Sequence, residues 1–354
     1  MNYGEIISGT FRIIWREKKL WLFGLIGLAL SALASGVYMA SAMNWQSSFI
    51  ANMSRPEFYN SADPESMFAA MFTSMGWLFG GMGFMLCVGL IGYVINLIMR
   101  GATIAEADRA WAGEKVEVER GARVGANRGL YLFVVDLLWF LLPSLILFAA
   151  WACGLLLMFG GIAAGANANA DSAAAAFASL GSMFAFFGIV GCFALIIAVV
   201  KGIFSPLMYQ EAVLGEQSLG AAIKKGYSLA RENLGPMVIF MLVMFVIYVI
   251  SQTILQIASL PLMGVWMSNF FGMMGDFSDE MVNIPPPSAG NQALLFLGGL
   301  FYGAVMLLLH SFSQTFALTM YARVYRQLTT GENPGRDEHS LPEISETGAT
   351  SVAH

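Results

Sequence analysis

The residues of this sequence that could carry chemistry stand mostly inside long apolar stretches. Asp136 is the only Asp, Glu, Lys or Arg within six such stretches, and Asn96 lies near the end of the second. His310 lies in the last stretch, with Gln314 one helical turn later on the same face. Ionisable groups inside a membrane are candidates for ion or proton pathways. The alternative is that they form hydrogen bonds that hold helices together.

Among these four residues, Asp136 has the strongest need for a polar environment. A charged Asp that faced hydrocarbon would cost about 2.5–3.5 kcal/mol on insertion scales. We therefore expect its carboxyl group to face the bundle interior or a polar cavity. Asn96 stands at a comparable depth on the neighbouring stretch and is the expected hydrogen-bond partner.

Catalytic and metal-binding motifs are not found in the sequence. It has no His-Glu-x-x-His zinc helix, phosphate-binding loop or nucleophile elbow. Cys87, Cys153 and Cys192 lie in separate apolar stretches and do not have the spacing of a zinc site. We therefore predict no catalytic residue, no metal and no cofactor.

The composition is that of a membrane protein. Of 354 residues, 57% are hydrophobic and 12% are charged, and the mean hydropathy is +0.67, whereas soluble domains carry about 25% charged residues. Each apolar stretch exceeds the roughly 20 residues that cross a bilayer. The predicted spans are 20–43, 76–99, 130–158, 177–200, 237–262 and 293–320. The segments between them are too short for another domain, so residues 1–330 form one membrane domain. The polar tail 333–354 is predicted to be disordered in the cytoplasm.

The distribution of positive charge predicts the orientation. With these six spans, every Lys and Arg except Arg55 falls on one side of the membrane. Lys and Arg are retained in the cytoplasm, and an even number of spans places both termini on the same side. We therefore predict that both termini are cytoplasmic.

An internal three-fold repeat follows the spans. Each even-numbered span continues to a Gly-Glu pair, at 113–114, 215–216 and 331–332, where glycine suits the left-handed residue that ends a helix. Just before those pairs, Glu106-Ala107, Glu211-Ala212 and Tyr321-Ala322 occupy corresponding positions. The pattern predicts three parallel two-span units, at about 1–114, 115–216 and 217–332.

A short basic and partly apolar segment precedes each odd-numbered span, at 10–19, 115–128 and 219–233. Such segments are typical of helices that lie at the membrane surface and contact anionic head groups. We call them elbow helices and expect them at the cytoplasmic interface, with the bilayer and anionic lipid head groups as partners. No basic patch indicates nucleic-acid binding. The predicted interfacial anchors are Trp15, Arg16, Lys18, Lys19, Arg128, Tyr227 and Arg231.

The third elbow also carries a family resemblance. The stretch from Leu219 through Arg231-Glu232-Asn233-Leu234-Gly235 resembles the membrane domain that is fused to some bacterial glycerophosphoryl diester phosphodiesterases. Related stand-alone six-span bacterial proteins share this layout. The resemblance implies the fold and a location in the bacterial inner membrane. It does not imply phosphodiesterase activity, because that chemistry belongs to a separate soluble domain.

Three classes of function remain open at this point. A structural or accessory membrane protein, which organises lipid or serves a membrane protein partner, is favoured by the missing catalytic motifs and the elbows. A permease for small solutes or ions is the alternative, favoured by the intramembrane polar residues. An enzyme that acts on lipid is supported only by Asp136 and His310.

Overall fold

The computed structural model describes residues 2–53, 64–141, 143–145, 147–150, 154, 172–215, 217–276 and 289–331. All named elements in this part of the chain are helical. They are α1 (Tyr3–Arg16), α2 (Lys19–Met53), α3 (Pro64–Trp111), α4 (Val118–Asp136), a π-helical turn (Leu137–Leu141), α5 (Ser172–Leu214), α6 (Leu219–Glu232), α7 (Leu234–Asp276) and α8 (Ala289–Thr330). The predicted tail 333–354 and most of 151–158 lie outside the described residues.

Six helical stretches are long and apolar enough to cross a bilayer, as the sequence predicts. They are Lys19–Ala42, Phe79–Trp111, Val118–Ala150, Phe186–Leu214, Leu234–Leu260 and Phe296–Thr330. Many of their large apolar side chains point outward; Leu86 and Leu90 on α3 are 69% and 66% exposed. Apolar residues outside and polar residues buried inside are the arrangement of a multi-pass membrane protein rather than of a soluble bundle.

Two short helices, α1 and α6, overlap the segments 10–19 and 219–233 expected as elbows. Helix α1 buries Ile6, Thr10, Ile13 and Ile14, and two residues separate its end from the start of α2. Helix α6 is followed at once by α7, and the side chain of Asn233 between them donates to the Leu229 carbonyl at 2.9 Å. Asn at this position satisfies one of the carbonyls that a helix end leaves free.

The second unit differs from this expectation. Helix α4 runs without a break from Val118 to Asp136, so residues 118–128 are the first turns of the third span and not a separate helix. The irregular part comes later, in the π-helical turn Leu137–Leu141. Pro143 follows this turn, and a proline ring clashes with the carbonyl four residues earlier. The widened turn lies where that clash has to be relieved.

The ends of the even-numbered spans pack against the short segments. Helix α3 packs on α4, α5 on α6, and α8 on α1. Close contact requires glycine at two of these crossings. A Cβ atom on Gly125 would clash with the Ile98 carbonyl oxygen, and one on Gly226 would lie 2.7 Å from the Met208 Cα atom. We call this end of the bundle, where Arg16, Arg120 and Lys225 lie, the basic end.

Two of the three predicted helix-ending glycines have the expected conformation. Gly113 and Gly331 adopt φ of 81° and 68°, the left-handed region that favours glycine. Gly215 has a different reason to be glycine, since a Cβ atom there would clash with the Glu211 carbonyl oxygen.

Candidate functional site: a buried polar cluster and its cavity

Asp136 is the centre of a buried polar cluster at the end of α4. Its Oδ2 atom accepts hydrogen bonds from Arg100 Nη1 at 2.8 Å and from the Tyr93 hydroxyl at 3.1 Å. Its Oδ1 atom accepts one from the Tyr209 hydroxyl. The residue is 6% exposed, so the expectation that it faces the interior is confirmed. All three partners come from other helices.

Helical spacing brings these partners together. Tyr93 and Arg100 are seven residues apart on α3, which places them on one face. Tyr209 comes from α5, and the Arg100 guanidinium lies 4.4 Å from the centre of its ring, within the range of a cation–π contact. The cluster therefore joins α3, α4 and α5 and leaves the carboxylate with an ionic partner.

The expected pairing of Asp136 with Asn96 is wrong. The Asn96 Oδ1 atom instead accepts from Gln314 Nε2 of α8 at 2.9 Å. The cation four residues further along α3 takes its place beside the carboxylate, because an ionised group is stabilised more by an opposite charge than by an amide. Two of the predicted polar residues, Asn96 and Gln314, do bond to each other.

His310 contacts a different helix from those that contact Asp136. Its Nε2 atom lies 3.4 Å from Gln252 Nε2 of α7. Ser251 of α7 and Ser313 of α8 approach to 3.3 Å beside it. The four side chains form a second, uncharged polar contact between α7 and α8.

A cavity of about 220 Å³ lies where α3, α5 and α8 meet. Its polar lining consists of Asn96, Arg100, Tyr209, Gln210, Gln314 and Tyr321. Gln210 is fully buried; its Nε2 atom donates to the Leu318 carbonyl at 3.2 Å. Its Oε1 atom has no hydrogen-bond partner among the described residues, an uncommon condition for a buried carbonyl.

Two buried glutamates lie nearer the basic end. Glu106 of α3 accepts two hydrogen bonds from Arg120, at 2.9 and 2.8 Å, and one from the Glu117 backbone N–H at 2.9 Å. Glu211 of α5 accepts from Lys225 Nζ at 3.0 Å and from the Tyr325 hydroxyl at 2.5 Å. Both glutamates are fully buried. Sequence reasoning placed them in the repeat but missed their partners, although a basic residue follows each glutamate at the same distance of fourteen positions.

The predicted anchors fall into three groups. Trp15 and Tyr227 are 74% and 43% exposed, as residues that contact lipid would be. Arg16 and Lys19 instead donate to backbone carbonyls of Ala110 and Val116, at 3.3 and 3.2 Å. These two basic residues hold α1 and α2 to the α3–α4 connection. The remaining anchors lie on the surface: Lys18 and Arg231 are exposed, and Arg128 is half-buried beside the Tyr131 ring.

No family model, no curated protein and no solved structure matches this chain. The residues themselves are therefore the source of any functional argument. Within the described part of the chain, no three His, Cys, Asp or Glu residues are grouped as metal ligands would be. The cluster offers instead an ion pair, hydroxyl groups and amides, which can join helices or bind a small polar solute.

Proposed function

We propose that this protein is a structural or accessory protein of the bacterial inner membrane, without catalytic activity. One observation carries the proposal. The polar side chains within the spans bond across helices: Asp136 to Arg100, Asn96 to Gln314, and Ser251 to Ser313. Such contacts stabilise a bundle in lipid. A proton path would instead need a continuous series of groups, and the hydrogen bonds of Asp136 and His310 involve different partners among the described residues.

The proposal includes three parallel units, with both termini in the cytoplasm. Its support is the cyclic packing, in which the end of each even-numbered span contacts the short segment of another unit and α8 contacts α1. The charge distribution of the sequence supports the orientation. The family resemblance of residues 219–235 is compatible with this layout.

Anionic lipid head groups are the proposed partners of the basic end. The exposed Arg12 and Trp15 of α1 and the exposed Lys224 and Tyr227 of α6 combine positive charge with aromatic rings, as interfacial helices do. Native mass spectrometry with phosphatidylglycerol and phosphatidylcholine tests this. Arg12→Gln with Lys224→Gln should reduce the retained phosphatidylglycerol. Arg123→Gln is the control, because Arg123 is paired with Glu119 at 3.1 Å. Equal retention by both variants would refute the lipid contact.

A proton-flux assay tests the structural function. The purified protein is reconstituted into vesicles that contain a pH-sensitive dye, and the decay of an imposed pH gradient is measured. We expect the same decay with the protein, with Asp136→Asn and in protein-free vesicles. A faster decay with the wild-type protein that Asp136→Asn abolishes would contradict the proposal.

A permease is the second candidate, and the cavity between α3, α5 and α8 supports it. Alternating access would expose the cavity to each side in turn. A variant without Cys87, Cys153 and Cys192 but with Gln314→Cys can be labelled by an impermeant maleimide. Labelling from both sides of the membrane would favour the permease, and labelling from one side alone would rule it out.

A further inference from the structure

We propose that the cavity between α3, α5 and α8 binds a small organic anion that carries a hydroxyl group, such as a 2-hydroxycarboxylate. This inference goes beyond the structural function and holds whether or not the solute crosses the membrane. It depends on which hydrogen-bonding atoms remain for a ligand after the protein has made its own contacts.

Gln210 lines the cavity and has a buried side-chain oxygen that can accept a hydrogen bond. The Gln210 amide group is oriented by its donation to the Leu318 carbonyl, which leaves the carbonyl oxygen buried and without a partner. A buried carbonyl without a hydrogen bond destabilises the folded state. A ligand that donates an O–H group to this atom would recover that free energy.

The donors are Arg100 and Asn96. Arg100 uses Nη1 for Asp136, and a guanidinium has five N–H groups, so others remain for the cavity that it lines. The Asn96 side-chain oxygen accepts a hydrogen bond from Gln314, so its amide nitrogen can still donate one to a ligand. Two donor side chains in the lining of one cavity match the two oxygens of a carboxylate.

The local charge favours an anion. The Arg100 guanidinium lines the cavity and carries a permanent positive charge. Asp136 does not line the cavity, so an anion in the cavity would face the guanidinium and not the carboxylate.

The volume sets the size of the solute. A cavity of about 220 Å³ holds roughly seven groups of the size of water, at about 30 Å³ each. This is below the range of about 300–1,000 Å³ for sites of drug-sized ligands. A hydroxy acid of three to six carbons is of a size that matches this volume.

Three probes distinguish recognition of the hydroxyl group from recognition of the negative charge, and they are tested on the full-length protein in detergent. They are lactate, propionate, which lacks the hydroxyl, and lactamide, which lacks the charge. Titration calorimetry should show that lactate, or a longer hydroxy acid up to gluconate, binds about two- to tenfold more tightly than propionate. Lactate should bind more than about tenfold more tightly than lactamide. Equal binding of lactate and propionate, or no dissociation constant below about 10 mM for any hydroxy acid, would overturn the proposal.

Substitutions test which side chains contact the ligand. Gln210→Met should lower the affinity for lactate to that for propionate and leave the affinity for propionate unchanged. Arg100→Gln combined with Asp136→Asn removes both charges together. This double variant should lower the affinity for lactate to that for lactamide. Ala317→Leu fills the cavity without altering a polar group and should abolish binding of all three probes. Lactate binding that survives Ala317→Leu would place the ligand elsewhere and refute the site, whatever the flux assay shows.

Discussion

The connections after α3 and after α5 are built on the same pair of side chains, a buried glutamate and a basic residue fourteen positions later. Glu106 pairs with Arg120, and Glu211 pairs with Lys225. In both places the residue after the basic one is a glycine that lies against the preceding helix. A Cβ atom on Gly121 would lie 2.8 Å from Glu106 Cγ.

The two pairs differ in their third partner. Glu106 accepts a hydrogen bond from the Glu117 backbone N–H, so its contacts stay within the connection between α3 and α4. Glu211 takes the Tyr325 hydroxyl of α8, so its contacts join three helices. The same local arrangement therefore serves a local connection in the first case and the assembly of the bundle in the second.

Of the substitutions that test this comparison, removal of the glutamates should have the largest effect on stability. Glu211→Ala leaves the buried Tyr325 hydroxyl and the Lys225 ammonium without their acceptor, and we expect it to lower the free energy of unfolding by about 3 kcal/mol. Glu106→Ala should cost about 2 kcal/mol, since Arg120 keeps Glu117 at 3.3 Å. Denaturant unfolding in detergent measures both. Glu119→Ala, with an 89% exposed side chain, is the neutral control. A larger loss for Glu106→Ala would reverse the comparison.

The helix crossings should respond to a single methyl group. Gly125→Ala places a Cβ atom against the Ile98 backbone and should cost about 1–3 kcal/mol through overpacking. Gly129→Ala is the matched control one turn later, where the nearest atom to the Cβ would be at 3.8 Å. The control should be neutral or stabilising, because alanine is the better helix former. Equal unfolding midpoints for the two variants would show that the crossing is not as close as described.

An exchange of the basic residues sharpens the comparison. Arg120 donates two hydrogen bonds to Glu106, and lysine cannot reproduce that fork. Arg120→Lys should therefore cost about 1.5 kcal/mol. Lys225→Arg should cost less, because Lys225 makes a single contact and its side chain is 43% exposed. If Lys225→Arg proves the more damaging exchange in the same unfolding assay, the two pairs do not differ as proposed.

The smallest effect is expected at the uncharged contact between α7 and α8. His310→Ala removes the contact with Gln252, and polar contacts between membrane helices average about 0.6 kcal/mol, with a maximum of about 1.7. The unfolding midpoint should shift little. A loss as large as that of Glu211→Ala would show that His310 has a role that its contacts do not explain.

The six spans could be predicted from the sequence because they depend on composition and length alone. The interior position of Asp136 followed from the cost of a charge in lipid. Its partner did not, because Arg100 stands just beyond the predicted limit of the second span, and pairing depends on how α3, α4 and α5 rotate against one another. The bond between Glu211 and Tyr325 joins residues 114 positions apart, and no local pattern indicates it.

The central claim is that the charges within the spans are structural, and a double-mutant cycle at Asp136 and Arg100 tests it most directly. The free energy of unfolding is measured for Asp136→Asn, for Arg100→Gln and for both together. Each single substitution leaves the other charge buried and should cost about 3–5 kcal/mol. The double variant, which has no unpaired charge, should be more stable than either. Single variants as stable as the wild type would contradict the claim.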